Sequence, residues 1–146
     1  MSAVEIRAAS LRDWWEVREL ERVCFGPDAW TWMELVFALV GPNVRLKAVV
    51  GGQLAGLVIG EAVPFANYAW IVTLGVLPDY QRRGLGARLL AEAEARLRSP
   101  VLKLTVRQSN RTAMALYEKF GYAPAGRHEH YYSGGETGIV MEKRRG

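Results

Sequence analysis

The stretch "PDYQRRGLGARLL", Pro78 to Leu90, constrains this chain more than any other. It follows a strongly apolar run, "NYAWIVTLGVL". It opens an amphipathic one, with Leu85, Leu89, Leu90, Ala93 and Leu97 on a single helical face. The start of a helix leaves backbone N–H groups without partners and carries partial positive charge, so small anions bind there. Glycines let a ligand approach the backbone and permit positive φ. Arg82 and Arg83 can add charge-assisted bonds. No Gly-Lys-Ser/Thr follows, so the loop is not a P-loop. Leu89 stands where the dinucleotide fingerprint needs its third glycine. Gly84 and Gly86 could serve only as a tight strand-to-helix turn with solvated arginines. The apolar strand before them and the amphipathic helix after them favour an anion cradle.

The remaining elements follow from local patterns. "VEIRAA" alternates as a short strand. Ser10 with Asp13, and Thr31 with Glu34, read as capping boxes that open two helices. The first carries Leu11, Trp14, Trp15, Val17, Leu20 and Val23 at helical spacing and breaks at Gly26-Pro27. The second stops at Gly41-Pro42. Gly51-Gly52 joins two apolar runs as a β-hairpin. "NYAWIVTLGVL" reads as a strand buried on both faces, and the helix after the cradle runs from Leu85 to Arg98. "PVLKLTV" is a further strand. "NRTAMALYEKFGY" is a helix with Asn110 near its cap and Gly121 at its end. The tail forms a strand pair across Ser133-Gly134-Gly135. The order β-α-α-β-β-β-α-β-α-β-β predicts one mixed α/β domain, residues 1–146, around one sheet.

The bounds agree. A chain of 146 residues, half of them hydrophobic, can bury a core without staples. No apolar run reaches the roughly 18 residues of a membrane helix, so no membrane partner is expected. "MSAVEIRAAS" lacks the basic-then-apolar order of a secretory signal. The single cysteine, Cys24, suits a reducing, cytoplasmic setting and reads as a buried small hydrophobe. The net charge of +4 favours an anionic ligand. The arginines are spread along the chain in no nucleic-acid motif, so no direct nucleic-acid contact is expected. His128 and His130 would share one strand face, but no further ligand has matching spacing, so no metal site is expected. Trp14, Trp15, Trp30 and Trp32 are expected in the core or a groove wall.

"QRRGLGARLL" resembles the acyl-CoA-binding motif of the GNAT N-acetyltransferase superfamily, and the resemblance covers nearly the whole chain. It is strongest to the bacterial ribosomal-protein alanine N-acetyltransferase group: "ER" and "CF" at Glu21, Arg22, Cys24 and Phe25, "WT" at Trp30-Thr31, "VLPDYQRRGLG", "VRQSNRTAMALYEKFGY" and "RHEHYY". It implies a GNAT fold, with a central, mostly antiparallel sheet, splayed strands and flanking helices. It also implies an enzyme that moves an acetyl group from acetyl-CoA directly to an amine, that of a peptide or protein N-terminus such as a ribosomal protein. A small-molecule amine as acceptor, or a non-catalytic acyl-CoA-binding module, are the alternatives.

The resemblance also implies residue roles. Leu74, Gly75 and Val76 would hold the pantetheine arm. The backbone from Arg82 through Arg83, Gly84, Leu85 and Gly86 to Ala87 would hold the pyrophosphate. Asn110 would bond the cofactor arm, and Tyr117 would be the general acid for the leaving thiolate. Asn110 and Tyr117, two turns apart, also lie on one helix face. The Val76 N–H would meet the oxyanion. Tyr131 and Tyr132, with Phe25 and Trp30, would line the acceptor groove. The group carries its glutamate base in "LEVR", and this chain reads "LTVR", Leu104 to Arg107. Thr105 is no base, so the role passes to Glu61, His128 or His130. A peptide α-amine has a reference pKa of about 7.7–8.0, against about 10.4 for lysine, so it tolerates a weak or distant base.

Overall fold

The computed structural model describes residues 3–145. Seven strands take the order β1-β2-β3-β4-β5-β7-β6, mostly antiparallel, with four α-helices. The strands are β1 (Val4–Ala8), β2 (Val44–Val50), β3 (Gln53–Ala62), β4 (Tyr68–Val76), β5 (Val101–Arg107), β6 (Ala123–His128) and β7 (Gly138–Arg144). The helices are α1 (Trp14–Phe25), α2 (Trp32–Val40), α3 (Leu85–Arg96) and α4 (Arg111–Lys119). The mixed α/β order read from the sequence therefore holds element by element. Two compact units make up the chain. One runs to Glu61 and includes Thr73–Arg98; the other is Ala62–Val72 with Ser99 onward.

In the first unit, Val4 to Ala8 pair antiparallel with Val50 to Leu46. Gly51 and Gly52, at φ 58° and 80°, close the β2–β3 hairpin as a two-residue turn of this kind demands. Ala9, Val17, Leu20, Leu35, Ala38, Leu39, Leu54, Leu57 and Ile59 form a buried cluster that seats α1 and α2 on β3. A methyl group on Gly56 would lie 2.9 Å from Leu89 Cδ1 and 3.2 Å from the Gly75 carbonyl. That glycine therefore lets α3 and β4 close on β3. Asp13, a capping residue in the sequence, is also buried. It accepts from the Ser10 N–H at 2.9 Å and from Lys47 Nζ at 2.7 Å.

In the second unit, β5 and β7 pair over their whole length, and β6 adds to the far side of β7. β4 and β5 are parallel, and their ladder spans only Tyr68–Trp70 and Val101–Lys103. Both strands run on, to Val76 and Arg107.

Local packing corrects several expectations. β4 is not buried on both faces: Ala69, Ile71, Thr73 and Gly75 are buried, but Val72 is exposed. The run is apolar because one face is core and the other only partly covered. α3 ends at Arg96, since Leu97 turns extended (φ −87°, ψ 123°) to bury its side chain against Gly60. Leu11–Asp13 form a 3-10 turn ahead of α1. Trp15 and Trp32 are 73% and 63% exposed, so neither is core. β6 stops at His128, and His130 takes φ 56° in the following turn, so the two histidines do not share a strand face. Cys24 is half-buried and hydrogen-bonded rather than sealed in apolar surroundings.

Candidate active site

The first unit carries the loop between β4 and α3. Pro78–Tyr80 form a 3-10 turn, with the Tyr80 hydroxyl on Gln53 Oε1 at 2.9 Å. The Arg83 guanidinium lies over the Tyr80 ring at 5.4 Å and donates to the Asp79 carbonyl at 3.2 Å. Arg82 and Gly84 both take left-handed φ, 64° and 78°. Gly84 is the N-cap of α3 and offers no side-chain cap. The first helical bond runs from the Arg88 N–H to the Gly84 carbonyl at 3.0 Å. The N–H groups of Leu85, Gly86 and Ala87 thus belong to the helix turn that lacks internal acceptors. Arg82, Arg83 and Gly84 are exposed, whereas the Leu85 side chain is buried and contributes only backbone.

β4 leads into this loop. The Gly75 carbonyl faces β3, and the Leu77 N–H donates to the Ala55 carbonyl at 2.8 Å. Backbone groups of alternate residues in a strand point to opposite edges, so the Val76 N–H and carbonyl project away from β3. The Val76 carbonyl accepts from Gln81 Nε2 at 3.0 Å and from the Cys24 thiol at 3.4 Å. Burial pushes that thiol up to about 11, so it stays protonated as a donor. A methyl group on Gly75 would meet Leu20 Cδ2 at 3.2 Å and Phe25 Cε2 at 3.3 Å. Phe25 therefore packs on the strand that carries Leu74 and Val76. Trp30 is half-buried just beyond the following turn, and Glu61 is exposed near the end of β3.

A residue that the sequence reading used only as part of a motif stands behind this strand. Glu21 is 2% exposed. Its Oε2 accepts from Thr73 Oγ1 at 3.1 Å, and its Oε1 faces the Trp30 N–H at 3.5 Å. Burial holds its carboxyl above the ordinary range. A signal was present: Glu21 falls at i+4 from Val17 and one position after Leu20, inside the apolar stripe of α1. The raised folded value has a stability sign. As pH rises, the unfolded chain loses this proton first, so the folded state binds more protons and stability falls. The Glu21 contribution is full below the ordinary carboxyl range and is lost through the raised value. Wild type is therefore expected to lose stability relative to Glu21→Gln as pH rises from the ordinary carboxyl range towards neutral. Urea unfolding at a series of pH values measures it, and a pH-independent difference would refute it.

The second unit carries the other residues. Tyr117 is 8% exposed and meets Tyr122 edge-to-face at 6.0 Å. Burial pushes its phenol up to about 12. Asn110 caps α4, its Oδ1 accepting from the Ala113 N–H at 3.1 Å; its amide group brings two further donors. Thr105 is half-buried on β5, and its carbonyl accepts from the Tyr132 hydroxyl at 3.1 Å. Tyr131 is 54% exposed and packs edge-on against Tyr132 and His128, at 4.9 and 5.3 Å. A methyl group on Gly138 would lie 2.8 Å from Thr105 Cγ2 and 3.2 Å from Tyr131 Cδ2, so glycine lets the aromatic turn close on Thr105. Among the described residues no group of His, Cys, Asp and Glu is arranged to hold a metal ion.

The sequence profile of the Acetyltransferase (GNAT) family matches residues 9–122. The chain belongs to the GNAT family of acetyltransferases. It is 37% identical over 135 residues to the N-alpha-acetyltransferase RimI of Mycobacterium tuberculosis, covering 88% of this chain and 84% of that one. It is 34% identical over 121 residues to the Escherichia coli [ribosomal protein bS18]-alanine N-acetyltransferase, covering 77% and 80%. The crystal structure of the ribosomal-protein-S18-alanine N-acetyltransferase from Escherichia coli superposes with a TM-score of 0.85 at 28% identity, over 97% of this chain and 94% of that one. The chain is thus a GNAT N-acetyltransferase, and GNAT acetyltransferases use acetyl-CoA. The GNAT loop fits that co-substrate: open left-handed glycine, orphan N–H groups and two exposed arginines suit a pyrophosphate.

Proposed function

We propose that the chain transfers the acetyl group of acetyl-CoA to the N-terminal α-amine of a protein, ribosomal proteins being the first class to test. The observation that carries this reading is the aromatic turn, Tyr131 and Tyr132, held on Thr105 by the Tyr132 hydroxyl. It offers an aromatic corner of two edge-on rings for a peptide, beside the strand where the resembling group keeps its base. The likeness to relatives named for α-amine and ribosomal-protein alanine acetylation supports the same class.

In this reading the N–H groups from Arg82 to Ala87, with both arginines, bind the pyrophosphate. Leu74 and Val76, whose backbone groups project away from β3, bond the pantetheine arm with Asn110, whereas Gly75, whose carbonyl faces β3, does not. Phe25 and Trp30 meet the acceptor. The amine nitrogen attacks the thioester carbon, and the Val76 N–H stabilises the oxygen that becomes negative. The C–S bond breaks, and the pair stays on sulfur as thiolate. Tyr117 donates to the sulfur while that charge is developing, CoA leaves as the thiol, and Tyr117 takes a proton back from water. The new amide nitrogen sheds its proton through water to Glu61. Thr105 takes no proton, which an α-amine tolerates because a sizeable fraction is neutral near physiological pH.

CoA release with a panel of acceptors tests the reading. The panel holds peptides with free Ala, Ser or Met N-termini, the same peptides N-blocked but carrying lysine, and spermidine. Turnover on free α-amine peptides alone is expected. Turnover only on spermidine would move the chain to small amines. Glu61→Gln should lower kcat about a hundredfold or more; an unchanged kcat would pass the base role to His128 or His130.

A further inference from the structure

Two turns far apart in the chain are tied by one carboxylate. Glu136 Oε1 accepts from Arg107 at 2.6 Å, and Glu136 Oε2 accepts from the Ser109 N–H at 2.7 Å. Ser109 directly precedes Asn110, the cap of α4. Arg107 also donates to the Ser133 carbonyl at 3.2 Å, and its guanidinium lies over the Tyr132 ring at 4.9 Å. The backbone closes the same tie: the Tyr132 N–H reaches the Glu136 carbonyl at 3.1 Å, and the Gln108 N–H reaches the Thr137 carbonyl at 3.0 Å. The pair is only a quarter exposed, 29% for the Arg107 side chain and 25% for Glu136. The donors gathered on Glu136, the Ser109 hydroxyl first, then the Ser109 N–H and Arg107, hold its carboxyl below the ordinary range, so it is charged at neutral pH.

We propose that Arg107 and Glu136 are positioning residues that couple the acetyl-CoA side of the site to its acceptor side. The inference rests on the reading above, in which Asn110 meets the cofactor arm and Tyr131 and Tyr132 meet the acceptor. The cofactor orders Asn110 and the start of α4. The Ser109 N–H fixes one oxygen of Glu136. The other oxygen fixes Arg107, which carries the Tyr132 ring and the Ser133 carbonyl. Order gained at the α4 cap therefore passes to the aromatic turn. Such coupling is reciprocal between the two ligands. A contiguous hydrogen-bonded chain is the physical carrier that it needs.

Hydrogen exchange with CoA as the probe tests this without knowledge of the acceptor. In the wild type, saturating CoA should slow exchange at the amides of residues 82–87 and also, about fivefold, at residues 131–137. In Glu136→Gln, CoA should still protect 82–87 while the slowing at 131–137 is lost. The same variant should raise the KM for an acceptor peptide severalfold and leave that for acetyl-CoA nearly unchanged. Arg107→Met should do likewise, and the double variant should be no worse than either single one. Protection at 82–87 without any at 131–137 in the wild type would overturn the coupling. So would full transmission in a folded Glu136→Gln. No protection at 82–87 would instead remove the pyrophosphate-loop assignment. Circular dichroism and thermal melting separate lost coupling from lost fold.

Discussion

Gly84→Asp is expected to lose acetyl-CoA binding by at least about a hundredfold while the protein stays folded. The two halves of that expectation have separate causes. Gly84 sits at φ 78°, ψ 13° with no neighbour within 4 Å of an added side chain, so space is not the obstacle. The left-handed backbone costs a side chain roughly 1–2 kcal/mol, and Asp is among the residues that tolerate it best. An acidic side chain beside the start of a helix returns about 0.3–1 kcal/mol through the helix dipole. The fold therefore changes little. Binding changes much more, because the carboxylate takes the place prepared for an anion. Two unit charges about 4 Å apart at an effective dielectric of about 20 repel by about 4 kcal/mol, roughly a thousandfold. Salt and the exposure of the loop reduce that to the stated floor. Calorimetric titration with CoA measures it, and unchanged affinity would refute the loop assignment. Gly84→Ala separates strain from charge and should lose far less.

Tyr117→Phe is expected to lower kcat by about a hundredfold to ten-thousandfold and to leave acetyl-CoA affinity nearly intact. Phenylalanine keeps the ring in its buried place against Tyr122, so only the hydroxyl is lost. Burial sets how that hydroxyl works. With its phenol pushed up to about 12, Tyr117 is protonated throughout the working range. A thiol titrates near about 8.5, so complete transfer to a free thiolate is uphill. The hydroxyl acts best while the C–S bond is breaking, by donating to charge that is still developing. The kcat profile of the wild type should accordingly have no alkaline limb from Tyr117 below about pH 11, one unit under the phenol's value. Stopped-flow measurement of CoA release with an α-amine peptide tests both points. Normal turnover in the folded variant would remove Tyr117 from the chemistry.

Much of this was legible without coordinates where the cause is local. Thr31 and Glu34 cap α2 reciprocally, at 3.2 and 2.8 Å, because they are three residues apart. Asn110 caps α4 for the same reason. The two-residue hairpin at Gly51-Gly52 needed only residues that accept positive φ. Where an expectation depended on what packs against a side chain, the patterns misled. Trp15 and Trp32 have the composition of core yet lie in solvent, and Val72 is exposed in an otherwise apolar strand. Helical and strand periodicity assign a face but do not say whether another element covers it.

The same division holds for the site. That Thr105 stands where the resembling group has its base rests on the resemblance; by itself the sequence determined a glycine- and arginine-rich turn at the start of α3 and a capped α4 that bears Asn110 and Tyr117. Each depends on residue type and short spacing, which backbone sterics and helix geometry read directly. Only the tertiary structure decided that Glu21 reaches Thr73 across 52 residues. It alone placed the Tyr132 hydroxyl on Thr105, and Glu136 between Arg107 and Ser109. A carboxylate finds such partners because burial penalises it without them, and which donors come within reach depends on how distant strands and turns pack.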